Sequence, residues 1–384
     1  MLLLSGFSEE RSAYCKISSY LRLYGWILSP HANKVQIFSN NTFLLEIPIT
    51  LRREEIWTAY NKIGTPFCGW AYEGTIKDID PLNLFAHFYN DDTLIFQQKL
   101  HIQFDNEKEE YLTQFSILNY EKISSNATDI YHQLHDAMGD SVTLLNFQEE
   151  AYLKWFHQVN YCKNYPKYCQ EFSGNKILHT KALQHYIAIQ LLDIRKDDIY
   201  MDIASSNSVC PDIIKHYYSK NIYRQDIRYE QGLHKNRIGS NAEDIPMPDG
   251  SIDKMALHCS FEHFENNSDI NFIQEAYRLL KMNGKLVITP LYLSETAHIL
   301  TSPSIWENKY GLNGFPKFTK DYPIVIKEEI SQRQEKVFSV DSLIREIIKP
   351  FEALFEFQIF HIDNIYNEAL AFYPKFTLVA TKKA

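Results

Sequence analysis

Between residues 18 and 104, apolar positions alternate with polar ones in short runs, at 18–28, 34–38, 43–47, 70–76, 84–90 and 93–104, separated by turn residues. A period of two without helical spacing predicts a small antiparallel β-sandwich over residues 1–105. After the charge-rich stretch 106–110 the period lengthens. Residues 129–138 and 147–160 carry apolar side chains three and four apart, which predicts a helical connector over 106–175. Residues 164–174 break that pattern, and 180–192 reads as an amphipathic helix capped by Thr180. From about Lys176 onward, strands ending at Asp202, Asp226, Ala242, Cys259 and Thr289 alternate with helical stretches, and 355–362 and 375–381 read as a closing antiparallel pair. This alternation predicts a doubly wound α/β sheet over 176–384.

The most informative stretch is 199–208. A short apolar run ends at Asp202 and opens through small residues onto a helix, an arrangement in which backbone N–H groups and a helix N-terminus can approach a ligand. Downstream lie a second strand ending in Asp226, the segment 242–253 (Ala-Glu-Asp-Ile-Pro-Met-Pro-Asp-Gly-Ser-Ile-Asp), then Phe261-Glu262-His263, and 280–288 (Leu-Lys-Met-Asn-Gly-Lys-Leu-Val-Ile). In order and spacing these resemble the signatures of class I S-adenosylmethionine-dependent methyltransferases, in the small-molecule branch of the type 11 kind. The resemblance covers about 177–384. It implies a Rossmann-like, seven-stranded methyltransferase sheet with S-adenosyl-L-methionine as cofactor.

Residue by residue, the resemblance assigns Asp202 to the methionine end of the cofactor, through its ammonium or through ordered water. The family's three loop glycines are Ala204, Ser206 and Ser208 here, each with a Cβ where the backbone should approach the ligand. Asp226 corresponds to the acid that accepts both ribose hydroxyls. Asn241 stands where the family has an aspartate that binds adenine, and Ala242 supplies the neighbouring N–H. Asp253 corresponds to a bracing acid, and Gly284 to a turn. His263, at the mouth after the fourth strand, is either a general base or a loop-packing residue. His258, inside that strand, reads as a satisfied core histidine. No HxH or DxD cluster requires a metal.

Residues 290–338 form an insertion that caps the acceptor site in this family. Tyr292, His298, Trp306, Tyr310, Phe315, Lys317 and Arg333 would either meet a sugar or form the insertion's own core. At the other end, Gly25-Trp26-Ile27-Leu28, 34–38, 51–56 and Cys68-Gly69-Trp70-Ala71 resemble the small β-sandwich found beside catalytic domains in bacterial surface-polysaccharide enzymes. Trp26, Trp57 and Trp70 read first as ordinary core aromatics, with glycan stacking as the alternative.

Composition narrows the function further. A net charge of −9 argues against a nucleic-acid or anionic-membrane binder, and no apolar run reaches the roughly 18 residues of a membrane span, so a cytoplasmic protein is expected. The six cysteines are scattered, and even the closest pair, Cys162 and Cys169, lacks a metal-binding spacing, which predicts reduced thiols. The implied activity is O-methylation of a small-molecule or glycan acceptor. The alternative is a catalytically inactive, methyltransferase-like binding or scaffolding module of polysaccharide biosynthesis, with the glycine-free loop closing the cofactor site.

Overall fold

The computed structural model describes all residues except 1–3, 8–11, 16–18, 30, 61–64, 77–78, 105, 120–122, 124–125, 173–176, 307–311, 313, 328–329, 331, 366–374 and 384. Asp105, Lys176 and Tyr310 lie outside the described residues. The chain divides into two compact units: residues 1–116 with 302–304 and 326–330, and the remainder.

In the first unit, the strands Tyr20–Leu28 and Phe67–Thr75 centre one sheet, and Lys34–Ser39 and Leu84–Asn90 centre a second. The period-two pattern explains the packing. Val35, Ile37, Leu84, Ala86 and Phe88 point inward from one sheet and meet Leu21, Leu23, Ile27 and Trp70 of the other in a single core. Trp70 is buried with its ring 6.0 Å from that of Phe88, so its role is packing. Gln103–Phe104 pairs in parallel with Ala13–Cys15, an exception to the antiparallel pairing elsewhere in the unit.

The second unit is built on an eight-stranded sheet. In chain order its strands are β1 (Val142–Leu144), β2 (Ile199–Ile203), β3 (Asn221–His234), β4 (Arg237–Gly239), β5 (Ile252–His258), β6 (Leu280–Leu291), β7 (Phe355–His361) and β8 (Phe376–Lys382). In space they run β1-β7-β8-β6-β5-β2-β3-β4. The neighbours from β6 through β5 and β2 to β3 are parallel, and β8 is antiparallel to both β6 and β7. One strand more than the expected seven is present because the connector contributes β1, which pairs in parallel with β7 at the sheet edge.

Both faces are covered, which is why these strands read as continuous apolar runs. Met201 and Ile203 face a core shared with α1 (Ala127–Met138) and α5 (Ser268–Leu279), while Tyr200 faces a second core shared with α2 (Glu149–Val159), α3 (Ile177–Leu192) and α4 (Cys210–Tyr217). Helix α3 departs from expectation. It begins at Ile177, so Thr180 is buried inside it rather than capping it, and Gln184 and His185 are buried along with its apolar residues. It packs on β5 and β6 on one side and on α2 and the helix Pro166–Phe172 on another, leaving no polar face.

Two further corrections concern local structure. β3 runs past Asp226 to His234 and folds back on β4, which ends at Gly239 rather than at Ala242. The expectation of reduced thiols fails for Cys162 and Cys169, which are joined as a disulfide. Successive short helices bring their Cα atoms to 5.0 Å, within bonding range, a proximity that linear spacing does not reveal.

Candidate functional site

The loop leaving β2 holds a glycine-like backbone without glycine. Ala204 and Ser206 have φ values of 50° and 45°, a region that costs a residue bearing a Cβ about 1–2 kcal/mol. Three consecutive side chains of β3 hold it there. Arg224 donates from Nη1 to the Ser208 carbonyl at 2.7 Å, Gln225 Oε1 accepts the Ala204 N–H at 3.1 Å, and Asp226 Oδ2 accepts the Ser206 N–H at 2.7 Å. The Gln225 carbonyl takes the Ser205 N–H at 2.8 Å. At about 0.5–1.5 kcal/mol each, these bonds offset the strain. The parallel register that sets Asp202 opposite Arg224 brings the three side chains alongside the loop. Gln225 also donates to the Ser240 carbonyl at 2.6 Å, tying in the loop after β4. Sequence reasoning passed over Arg224 and Gln225, whose only signal was adjacency to Asp226.

Asp226 is buried and already engaged. Its Oδ1 accepts from the Arg228 backbone N–H at 2.9 Å and from Arg228 Nε at 3.2 Å, so three of about four lone-pair positions are in use. Arg228 also bonds the Ser206 hydroxyl, and the Tyr229 hydroxyl donates to the Ser206 carbonyl at 2.7 Å. The Ser208 hydroxyl accepts the Cys210 N–H at 3.2 Å, serving the start of α4. Asn241 is exposed and donates to Glu243 at 2.6 Å, which leaves its amide oxygen as an acceptor; Ala242 beside it is buried.

Asp202 is 1% exposed. The Tyr200 hydroxyl donates to its Oδ1 at 2.6 Å, His258 Nε2 stands 3.5 Å from the same oxygen, and Oδ2 has no hydrogen-bond partner. The expected satisfied core histidine is not satisfied: neither ring nitrogen of His258 has a partner. Burial pushes the His258 pKa down, against the upward pull of Asp202, and so favours the neutral ring. A buried carboxylate with an open oxygen and no cationic partner favours a positively charged ligand.

The turn after β5 forms a second group. Phe261–His263 is a single 3₁₀ turn. His263 Nδ1 lies 2.7 Å from the Gln334 carbonyl, which can only accept, so that nitrogen carries a proton. Nε2 is 3.5 Å from Glu262 Oε1. Burial pushes Glu262 up to about 7, partly countered by a hydrogen bond from its own backbone N–H and by the Lys181 charge; its Oε2 and the Ser260 hydroxyl have no partner. Glu262 is therefore a candidate acid or base that the sequence reading passed over. Its signal was its place inside Phe261-Glu262-His263.

Other residues serve the frame. Asp253 accepts the Ile199 N–H at 2.8 Å and pairs with Lys281 at 2.7 Å, and a Cβ at Gly284 would lie 2.8 Å from the Lys281 carbonyl oxygen. In the insertion 290–338, Trp306 is fully buried and donates to Thr301 at 2.7 Å, and buried Arg333 pairs with Glu265 at 2.8 Å, so these two form its core. Lys317 is exposed.

Residues 198–288, which contain the glycine-free loop, Asp226 and the His263 turn, match the family described as a methyltransferase domain. This stretch is similar to a methyltransferase domain. No curated protein matches the chain. Among solved structures, similarity is found to Burkholderia thailandensis 1,6-didemethyltoxoflavin-N1-methyltransferase, at 11% identity over 62% of this chain and 92% of that one, with a TM-score of 0.35. Geranyl diphosphate C-methyltransferase from Streptomyces coelicolor A3(2) is similar at 10% identity over 53% and 80%, TM-score 0.31. A chain of the complex between the Haloferax volcanii Trm112 methyltransferase activator and a methyltransferase is similar at 12% identity over 53% and 90%, TM-score 0.36. Among the described residues, no helix is long and apolar enough to cross a membrane.

Proposed function

We propose that residues 176–384 form an S-adenosylmethionine-dependent methyltransferase that methylates an oxygen of a small-molecule or glycan acceptor. The observation that carries this reading is Asp202, a buried carboxylate with an open oxygen beside a loop that keeps a glycine-like backbone. The cofactor is S-adenosyl-L-methionine, which supplies a methyl group already activated on a sulfonium. Asp202 meets its cationic methionine end, and the backbone of Ala204, Ser206 and Ser208 lies alongside. Asp226 takes the ribose hydroxyls once Arg228 yields part of its carboxylate, and Asn241 and Ala242 receive the adenine. His263 offers Nε2 to the proton released by the acceptor, with Glu262 beside it. The protein's own contribution is positioning and exclusion of water.

Residues 1–105 are proposed as an accessory sandwich, 106–175 as a connector that belongs with the methyltransferase half, and 290–338 as a lid. The inactive scaffolding alternative is not favoured by the match to the methyltransferase family. Calorimetry with S-adenosylmethionine and S-adenosylhomocysteine tests the central point: saturable binding is expected, and the absence of both heat and thermal shift at millimolar ligand refutes it. Incubation with methyl-labelled cofactor and a panel of glycosides tests the acceptor class, with label in alkali-stable ether linkage as the expected product.

A further inference from the structure

Three side chains from three elements converge beneath the loop: Asp202 at the end of β2, Cys210 at the start of α4 and His258 at the end of β5. One ligand atom from each lies within 4.8 Å of the other two, and His258 Nε2 is 3.5 Å from Asp202 Oδ1. We propose that Asp202, Cys210 and His258 bind a divalent zinc ion.

Burial and unmet hydrogen bonding argue for this independently of the distances. Asp202 is 1% exposed, Cys210 is fully buried and the His258 side chain is 6% exposed. Both ring nitrogens of His258 have no hydrogen-bond partner, although burying such groups unpaired costs kilocalories. A cation coordinated by carboxylate and imidazole removes that cost. The donor set of one oxygen, one nitrogen and one sulfur suits zinc, whose bonds of about 2.0–2.3 Å place neighbouring ligands roughly 3.3–3.7 Å apart in a tetrahedron. The Asp202–His258 pair already has that spacing, and Cys210 Sγ lies within 4.8 Å of both. Charge also balances. When Cys210 binds as thiolate its proton leaves to solvent, and carboxylate plus thiolate neutralise the ion. The Tyr200 hydroxyl, 2.6 Å from Asp202 Oδ1, orients the carboxylate from outside the coordination sphere.

This inference does not rest on the methyl-transfer reading, because metal retention is measured without any S-adenosyl ligand. Asp202 has two carboxylate oxygens, so an ion on one leaves the other for the cofactor. The test is elemental analysis of the full chain purified from zinc-supplemented culture and desalted. One zinc per chain is expected, with affinity falling about 100-fold or more in Cys210→Ser and His258→Ala and about 10-fold in Tyr200→Phe. Cobalt(II) loading should give a sulfur-to-cobalt charge-transfer band that disappears in Cys210→Ser. If circular dichroism shows one of these variants unfolded, Asp202→Asn and His258→Gln replace it. The proposal is overturned if the full chain retains no metal, or if folded variants retain zinc as the parent does.

Discussion

Two loops at the carboxyl end of the same sheet face opposite situations. Loop 204–208, after β2, strains its backbone at Ala204 and Ser206 but has backbone groups of Ala204, Ser206 and Ser208 taken up by Gln225, Asp226 and Arg224, the buried Ser205 hydroxyl being left without a partner. The turn 259–263, after β5, leaves the Ser260 hydroxyl and one Glu262 oxygen without a partner, and Gln184, which accepts from the Cys259 thiol at 3.1 Å, keeps an unpaired amide nitrogen. The first loop has its backbone held by its neighbours. The second keeps unmet hydrogen-bonding capacity just past a strand end, where ligands bind in open α/β sheets.

The contrast can be broken most strongly at Glu262. Its folded-state pKa of about 7 exceeds the ordinary 4.5, so the native state holds this proton more tightly than the unfolded chain does. The resulting stability is fully present below pH 4.5 and is lost as pH rises through about 7, by on the order of 3 kcal/mol. Glu262→Gln should flatten that slope, and urea unfolding from pH 4.5 to 8 would show it; parallel curves for variant and parent would exclude the effect. On the scaffold side, Asp226→Ala should weaken S-adenosylhomocysteine binding by about 1.5–3 kcal/mol, read by calorimetry. Unchanged affinity in a folded variant removes the ribose assignment. Gln225→Ala strips partners from both Ala204 and Ser240 and should cost about 1–2 kcal/mol in chemical unfolding. The smallest effect runs the other way: Ala204→Gly should relieve strain and, after glycine's entropic cost, stabilise by about 0.5–1 kcal/mol. A loss of stability there would mean that the Ala204 side chain contributes more packing than its backbone costs.

Much of this contrast was written in local pattern and some of it was not. β2, β5 and β6 were legible as apolar runs ending in small or polar residues, with Asp202 next to the end of β2 and His263 in the turn after β5, whereas Asp226 lies inside β3, which runs on to His234. The support from Arg224 and Gln225 was hidden, because it depends on the register of two parallel strands rather than on spacing within either. Helix α3 was misread as amphipathic because a polar residue in sequence is counted as outward, whereas Gln184 and His185 turn toward a buried layer that only the assembled fold supplies. The Cys162–Cys169 bond required the short helices between them, which no periodicity marks.

The edge strand β1 also has a consequence for how the chain is made. Val142–Leu144 emerges from the ribosome early, but its partner β7 and the Asn364 side chain that bonds both the N–H and the carbonyl of Phe147 come 217 residues later. At translation speeds of about 5–20 residues per second, the connector waits roughly 10 to 40 seconds with an unpaired strand edge. During that interval β1 is a template for any passing extended segment, and a chaperone that binds extended peptides would find a target there.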